Sequence, residues 1–588
     1  MWIAYVFSKA QRGLLAILVA TFLMGLGVTI AAGARAVGED SSAAPPQEYN
    51  SGPSQRIDDS QRPAPAQDVE AGEEVYRERC SFCHGEKGDG FGPVAPYLNP
   101  RPRDFTSGLF KLRTTSDGEP PLDTDMIRTV KKGIPGTAMP SWEGTLSDEE
   151  IANVVAYIKT FSPYWFDPEF PPEVVVIGEP PPVDKQLIAQ GKQVYEEAQC
   201  WKCHGKEGRS DGESAPTLTD DWGYPIRPAN LTKGWRYKGG TTVKDIYTRF
   251  STGMNGTPMP TFFDSLSEEE RWALAAYVKS LIREEPDVSE VVIQSRLISG
   301  DLPTDPDDPR WAEAPGVDIP LIGQVVARPR WQNPAVDLIT VRSLHNGQEV
   351  AFLLEWDDPF KDVVHQETDE VEEVFEDTYV NWELYAFQEH RYRDAVAIQF
   401  PPRLPEGPRK PHFLRGKKSE PVNLWMWKAD AQATGGGTGA VEELVARGHL
   451  LPAESSAAEA GEEGTTSSLR ELMSELLAPQ PPESQNVKGS GVWRSGTWKV
   501  VMRRALDPGD SKDTPLEPGK LIPVAFQAWD GSSGEWGLMM STSSWYFVLL
   551  EAPTPTNVYV YTVIGVMLAA AVEGWLVRRV RARPTKNA

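Results

Sequence analysis

The sequence predicts a multidomain protein: two all-α domains of one design, then a mainly antiparallel β-sandwich domain, then one C-terminal transmembrane helix. Three observations carry this reading. A long block recurs with the same motifs in the same order, short β-branched and aromatic runs follow it, and an apolar run of membrane length stands close to the chain end. At 588 residues the chain has room for three or four domains of roughly 150 residues, each with its own core. A net charge of −25 argues against nucleic acid or an anionic lipid surface as partner, and fits a solvated exterior or a basic protein partner.

Residues 1–36 read as a signal peptide or an N-terminal anchor. Lys9 and Arg12 precede an apolar run from Leu14 to Ala32, and Ala34-Arg35-Ala36 has the small-x-small form of a cleavage site. Residues 37–67, rich in Pro, Ser, Gln and Asp, read as a flexible linker. At the other end residues 556–578 form the membrane helix, and the tail 579–588 carries cations that mark the cytoplasmic side. The body is then expected outside the cytoplasm, on the periplasmic face of a bacterial membrane.

The repeat occupies residues 68–165 and 186–285, separated by a proline-rich linker at 166–185. "AGEEVYRERCSFCHG…RPRDFTSG…GTAMPSW…LSDEEIANVVAYIK" returns as "QGKQVYEEAQCWKCHG…RPANLTKG…GTPMPTF…LSEEERWALAAYVK". Each copy ends in a helix opened by a capping box, Ser147 with Glu150 and Ser267 with Glu270, in which the hydroxyl takes the N3 amide and the carboxylate returns to the cap amide. Ile151, Val154, Val155 and Ile158, and Leu274, Tyr277, Val278 and Leu281, follow at helical spacing as core stripes.

From about residue 286 to 552, runs such as "EVAFLLEWDD", "DAVAIQF", "TWKVVMRRAL" and "LIPVAFQAWDG" predict strands of a β domain. Residues 433–485, rich in Gly, Ala, Glu and Ser, read as a flexible insertion with one helical patch, "SSLRELMSELL"; its "TGGGTGA" lacks the Lys-Ser/Thr of a phosphate loop. The acidic run "QETDEVEEVFED" at 366–377 reads as a solvated loop, with docking of a basic partner as the alternative.

All four cysteines belong to two copies of Cys-x-x-Cys-His: Cys80, Cys83, His84 and Cys200, Cys203, His204. Two disulfides or a zinc site would use the cysteines but not the histidine that follows both pairs. The spacing is that of covalent c-type haem attachment, with each thiol bonded to a former vinyl group and the histidine on the iron. Met139 and Met259 each stand 55 residues beyond their histidine, in paired Gly-Thr-x-Met-Pro loops, and are the candidate sixth ligands. Gly72 with Tyr76, and Gly191 with Tyr195, suit a close crossing of first and last helices. In these features both copies resemble class I cytochrome c domains.

The segments "DAVAIQFPP", "PVNLWMWKAD", "GSGVWRSGTWKVVMRRAL" and "IPVAFQAWDGSSGEWG" resemble the haem-b-binding domain of the ethylbenzene dehydrogenase γ-subunit family. The resemblance implies a β-sandwich subunit of a type II molybdenum enzyme of the dimethyl sulfoxide reductase group, which includes nitrite oxidoreductase. It further implies a noncovalent haem b held between a methionine and a lysine. Where that family carries methionine in a Phe-x-Met-Gly-like stretch, this chain has Leu414 and Arg415. Met426 and His412 are the substitute candidates, and Lys488 is the candidate lysine.

The expected function is electron transfer by two haem c groups and a haem b. Electrons would pass between the catalytic and iron–sulfur subunits of a molybdenum enzyme and a soluble cytochrome or terminal oxidase. The alternatives are a haem enzyme such as a dihaem peroxidase, which must leave one iron open, and a redox sensor whose β domain binds a ligand without haem b.

Overall fold

The computed structural model describes residues 68–581, apart from 99, 328–329, 333, 366–391, 405–408, 437–438, 449–475, 511 and 553–555. The N-terminal apolar run, the first linker and the acidic run at 366–377 lie outside the described residues, as does most of "SSLRELMSELL".

The first helical domain contains α1 (Val69–Arg79), α2 (Ser81–His84), α3 (Asp123–Lys132) and α4 (Asp148–Lys159). Asp68 caps α1 by accepting the amides of Glu70 and Ala71, and Ser147 with Glu150 caps α4 reciprocally. α1 crosses α4 where Gly72 has no side chain: a Cβ there would stand 2.0 Å from the Asn153 carbonyl oxygen. This approach brings Tyr76 and Tyr157 to a centroid distance of 5.3 Å. Ile151, Val154, Val155 and Ile158 close the core with Tyr76, Phe105, Met126 and Val130.

The second helical domain repeats the plan with α5 (Lys185–Glu197), α6 (Trp201–His204), α7 (Val243–Thr252) and α8 (Glu268–Leu281). Gly191 crosses α8 against the Ala273 carbonyl, where a Cβ would stand 1.9 Å away, and Tyr195 meets Tyr277 at 5.3 Å. Leu274, Tyr277 and Val278 are buried and Leu281 is partly buried, as the helical spacing predicts.

The β domain runs through β1 (Val292–Leu297), β2 (Val317–Pro320), β3 (Ile322–Gly323), β4 (Leu338–His345), β5 (Glu349–Asp357), β6 (Ala395–Phe400), β7 (Val422–Lys428), β8 (Val441–Ala446), β9 (Leu477–Pro479), β10 (Lys488–Arg494), β11 (Thr497–Ala505), β12 (Leu521–Trp529), β13 (Ser541–Thr542) and β14 (Tyr546–Leu550). Strands hydrogen-bond in the order β10-β11-β5-β4-β1-β14-β12-β6-β7-β8-β9. The pairs are antiparallel except that β1 lies parallel to both β4 and β14. β12 joins the two halves: Leu521–Val524 pair with β14, and Ala525–Trp529 pair with β6. The halves then face each other over an aromatic core, with Trp427 of β7 4.9 Å from Trp498 of β11 and Phe352 of β5 6.1 Å from Phe400 of β6.

One expectation is corrected. Within 433–485, read from composition as a flexible insertion, β8 pairs with β7 along its whole length and β9 extends the same sheet. The alternation that would have betrayed β8 is masked by Glu443, a fully buried carboxylate whose Oε2 accepts the amides of Asn486 and Val487 and whose Oε1 lies 3.5 Å from Arg504. Beyond the β domain, α9 (Thr556–Arg581) is a single helix, and its segment Val560–Arg579 is long and apolar enough to cross a membrane.

Candidate haem-binding sites

In the first domain the chain leaves α1 at Cys80 and turns at once into α2. The amides of Cys83 and His84 both return to the Cys80 carbonyl, at 3.1 and 2.9 Å, which gathers the two thiols and the imidazole on one turn. Cys200, Cys203 and His204 repeat this with amide-to-carbonyl distances of 3.3 and 2.9 Å. The four cysteines are free and part-buried, so neither pair is a disulfide. Burial pushes the Cys80 thiol up to about 12 and the Cys200 thiol up to about 11, which holds them in the neutral form.

The histidines are set by a contact that sequence reading did not assign. His84 Nδ1 lies 2.9 Å from the Arg103 carbonyl oxygen, and His204 Nδ1 lies 2.9 Å from that of Ala229. A carbonyl can only accept, so Nδ1 carries the proton and the Nε2 lone pair is left for a metal. Burial lowers the pKa of both imidazoles, His84 to about 4, which keeps them in the neutral, ligating form. The signal was present in the repeated "RPRD" and "RPAN" stretches, which supply these two carbonyls.

The surrounding loop is also duplicated in detail. Tyr76 donates to the Gly85 carbonyl at 2.7 Å and Tyr195 to that of Gly205 at 2.6 Å; both glycines take positive φ, 78° and 81°. The methionine loops match as well. Ile134 N donates to the Met139 carbonyl at 3.0 Å while Thr137 Oγ1 receives Met139 N; Met254 N, Met259 and Thr257 do the same at 3.1 and 3.3 Å. Met139 packs against the first helical core and Met259 against the second.

Comparison with known proteins matches residues 67–158 to the cytochrome c oxidase, cbb3-type, subunit III family and residues 188–281 to the cytochrome c family. Residues 308–539 match the ethylbenzene dehydrogenase family. The chain is a double cytochrome c joined to an ethylbenzene dehydrogenase-type domain. A cytochrome c of Guizotia abyssinica is 33% identical over 16% of this chain and 92% of its own. A putative respiratory nitrate reductase heme subunit of Haloferax mediterranei is 23% identical, covering 48% of this chain and 83% of its own. In the solved reducing HAO-like protein complex of Kuenenia stuttgartiensis, one chain is 44% identical, covering 38% of this chain and all of its own, with a TM-score of 0.36.

Two cytochrome c domains imply two covalent haem c groups, and the residues present fit them. Beyond the thiols and imidazoles, the junction of the two cytochrome c domains holds buried cations. Burial first, then Lys238 and Arg103, drive Lys111 well below its usual range, and burial with Arg236 and Arg103 lowers Lys238 to about 8. Arg103 lies over the Trp222 ring at 4.6 Å, and its buried Nη1 has no hydrogen-bond partner among the described residues. An orphaned donor among crowded cations fits a cofactor that carries carboxylates, as haem does.

The ethylbenzene dehydrogenase-type domain suggests a haem b, and the three candidate ligands offered by the sequence lie on different elements. Met426 is buried on the outer face of β7 among Leu414, Leu424, Leu538 and Met540. The His412–Arg415 turn packs onto that face, with His412 stacked on Phe413 at 4.8 Å. Lys488 is exposed at the first position of β10, which pairs with β11 and whose Gly491 lies against Trp427 of β7. Where the family places methionine, Leu414 is fully buried and Arg415 is pinned at φ 56° by Gln399, Gln527 and the Gly537 carbonyl. Leu414 and Arg415 thus put no thioether at that position.

Proposed function

We propose that this protein is a membrane-anchored electron-transfer subunit of an oxidoreductase complex, with Cys80 and Cys83 holding one haem c and Cys200 and Cys203 the other. Haem at these positions supplies a one-electron iron couple. His84 with Met139, and His204 with Met259, would hold the two irons, a pairing that suits electron transfer and would leave no coordination place for a substrate. The observation that carries the reading is the duplicated geometry: a histidine whose Nδ1 is tied to a carbonyl, and a methionine loop of identical hydrogen bonding 55 residues later.

The names of the relatives support a respiratory complex as the setting. The partner is then a molybdenum enzyme with an iron–sulfur subunit on one side, and a soluble cytochrome or terminal oxidase on the other. The cations in the last turn of α9 and just beyond it support a cytoplasmic tail and a periplasmic body.

The test is a pyridine haemochrome assay with intact-mass measurement on the full-length protein. The expected result is two covalent haems per chain and low-spin ferric spectra at both. A stable high-spin ferric haem with peroxide turnover would overturn the carrier assignment in favour of a haem enzyme.

A further inference from the structure

Three aspartates meet at one end of the β-sandwich although they come from distant parts of the sequence. Asp358 follows β5, Asp394 precedes β6 and Asp530 follows β12. They are 0, 0 and 3% exposed, and one carboxylate oxygen from each lies within 4.8 Å of the other two. Asp394 accepts the amides of Asp362 and Gly531 and the Trp498 indole, at 2.7, 3.0 and 2.9 Å. Asp530 accepts Ser532 Oγ and the amide and hydroxyl of Ser533. Asp358 is different: among the described residues, Oδ1 takes only the Phe360 amide at 3.2 Å, and the buried Oδ2 has no hydrogen-bond partner.

Three carboxylates at this spacing cannot all stay ionised in a dry interior without a counter-charge. Burial, and then repulsion from the neighbouring aspartates, pushes Asp358 and Asp394 well above the usual carboxylate range. Arg227 of the second cytochrome c domain is close enough to feel the cluster, but supplies only one charge. Its guanidinium is committed to the Ala215 and Ser532 carbonyls, at 3.1 and 2.6 Å, and lies 4.9 Å from the Phe360 ring centroid. The donor atoms are all oxygen, which selects a hard cation over a transition metal. Magnesium gives up its waters reluctantly and demands near-ideal octahedral geometry, whereas calcium accepts protein oxygens in flexible geometry, so three buried carboxylates within 4.8 Å of one another favour calcium.

We propose that Asp358, Asp394 and Asp530 bind a calcium ion, with the open Asp358 Oδ2 turned to the metal, and that this ion fixes the face on which the second cytochrome c domain docks. The same two loops carry the docking contacts. Asp357, next to Asp358, pairs with Lys233 at 3.2 Å and Arg283 at 2.5 Å, and Ser532, two residues beyond Asp530, receives Arg227.

The experiment uses full-length haem-loaded protein, stripped with a chelator and then equilibrated with calcium chloride. Expected are one calcium bound per chain by equilibrium dialysis, and an unfolding temperature raised by at least a few degrees and lowered again on chelation. Asp358→Asn should abolish the uptake and the shift while its metal-free melting temperature equals or exceeds that of stripped wild type, because a repelling charge has gone. No uptake by the stripped wild type, with the same melting temperature with and without calcium, overturns the proposal whatever the variant does. Uptake retained in Asp358→Asn, or an equal shift from magnesium chloride at the same concentration, overturns it too.

Discussion

At the residue scale, the proposed function depends on what the neighbours of each proposed ligand leave free. His84 and His204 give their Nδ1 protons to main-chain carbonyls, which fixes ring orientation and tautomer together. Met139 and Met259 are held by loops whose hydrogen bonds are internal, so each thioether is presented by a preformed turn. A thioether favours ferrous iron over a second imidazole. Replacing Met259 by His should therefore lower the potential of one haem, by on the order of a tenth of a volt within the ~0.8 V that axial ligation spans. Spectroelectrochemical titration should show one wave moved and the other in place.

At the scale of elements, the crossing of first and last helices positions each Cys-x-x-Cys-His turn, because that turn begins at the end of the first helix. The crossing depends on a missing side chain. Gly191→Ala would place a Cβ 1.9 Å from the Ala273 carbonyl oxygen, and Gly72→Ala the same at 2.0 Å from that of Asn153. Neither neighbour is a side chain that can turn away, so each substitution should cost about 1–3 kcal/mol or more. The check is thermal unfolding followed at the Soret band, with the affected haem reporting first. Capping is a smaller lever: Ser267→Ala removes the hydroxyl that receives the Glu270 amide and should cost about 1 kcal/mol by the same measurement.

At the scale of the whole molecule, the pieces are tied by buried charge. Arg113 of the first cytochrome c domain is fully buried and donates to the Thr252 carbonyl of the second at 2.5 Å, while Arg249 returns a bond to the Arg113 carbonyl at 2.9 Å. The second domain meets the β domain through Lys233, which reaches Asp337 at 2.8 Å and Asp357 at 3.2 Å, with Arg236 also on Asp337 at 3.2 Å. Burial alone would raise Asp337, but Lys233 and then Arg236 outweigh it and hold the carboxyl at about 2. Its folded pKa is thus below the unfolded value near 3.9, so its contribution is whole above about pH 4 and is lost as pH falls toward 2. Limited proteolysis between the domains should accelerate over that window and not between pH 5 and 7. Lys233→Met leaves two part-buried carboxylates with one arginine each, Asp337 with Arg236 and Asp357 with Arg283, and should cost about 1.5–3 kcal/mol, read as earlier release of the second cytochrome c domain on heating. Removing residues 553–588 should move the protein from the membrane fraction to the soluble fraction with both covalent haems retained, since α9 carries the apolar span and no haem ligand.

The plan of the molecule was legible in the sequence because its strongest signals are local and duplicated. Cys-x-x-Cys-His places its ligands on one helical turn, capping boxes announce the closing helices, and a membrane span needs only length and apolarity. The candidate axial methionines were legible only because the domain occurs twice: a lone methionine would have read as core. What tertiary structure alone decided is wherever distant residues supply one another's partners. Glu443 belongs to a strand because Arg504 reaches it, so composition misread β8 as a flexible insertion. Met426 and Lys488 were paired by analogy, yet they stand on strands that are not neighbours in the sheet order, Met426 on β7 and Lys488 on β10. Asp358, Asp394 and Asp530 are ordinary loop carboxylates in sequence, and only the return of β5, β6 and β12 to one end of the sandwich buries them together. Local spacing fixes covalent chemistry and helix ends; the balance of buried charge depends on which strands come back to the same place.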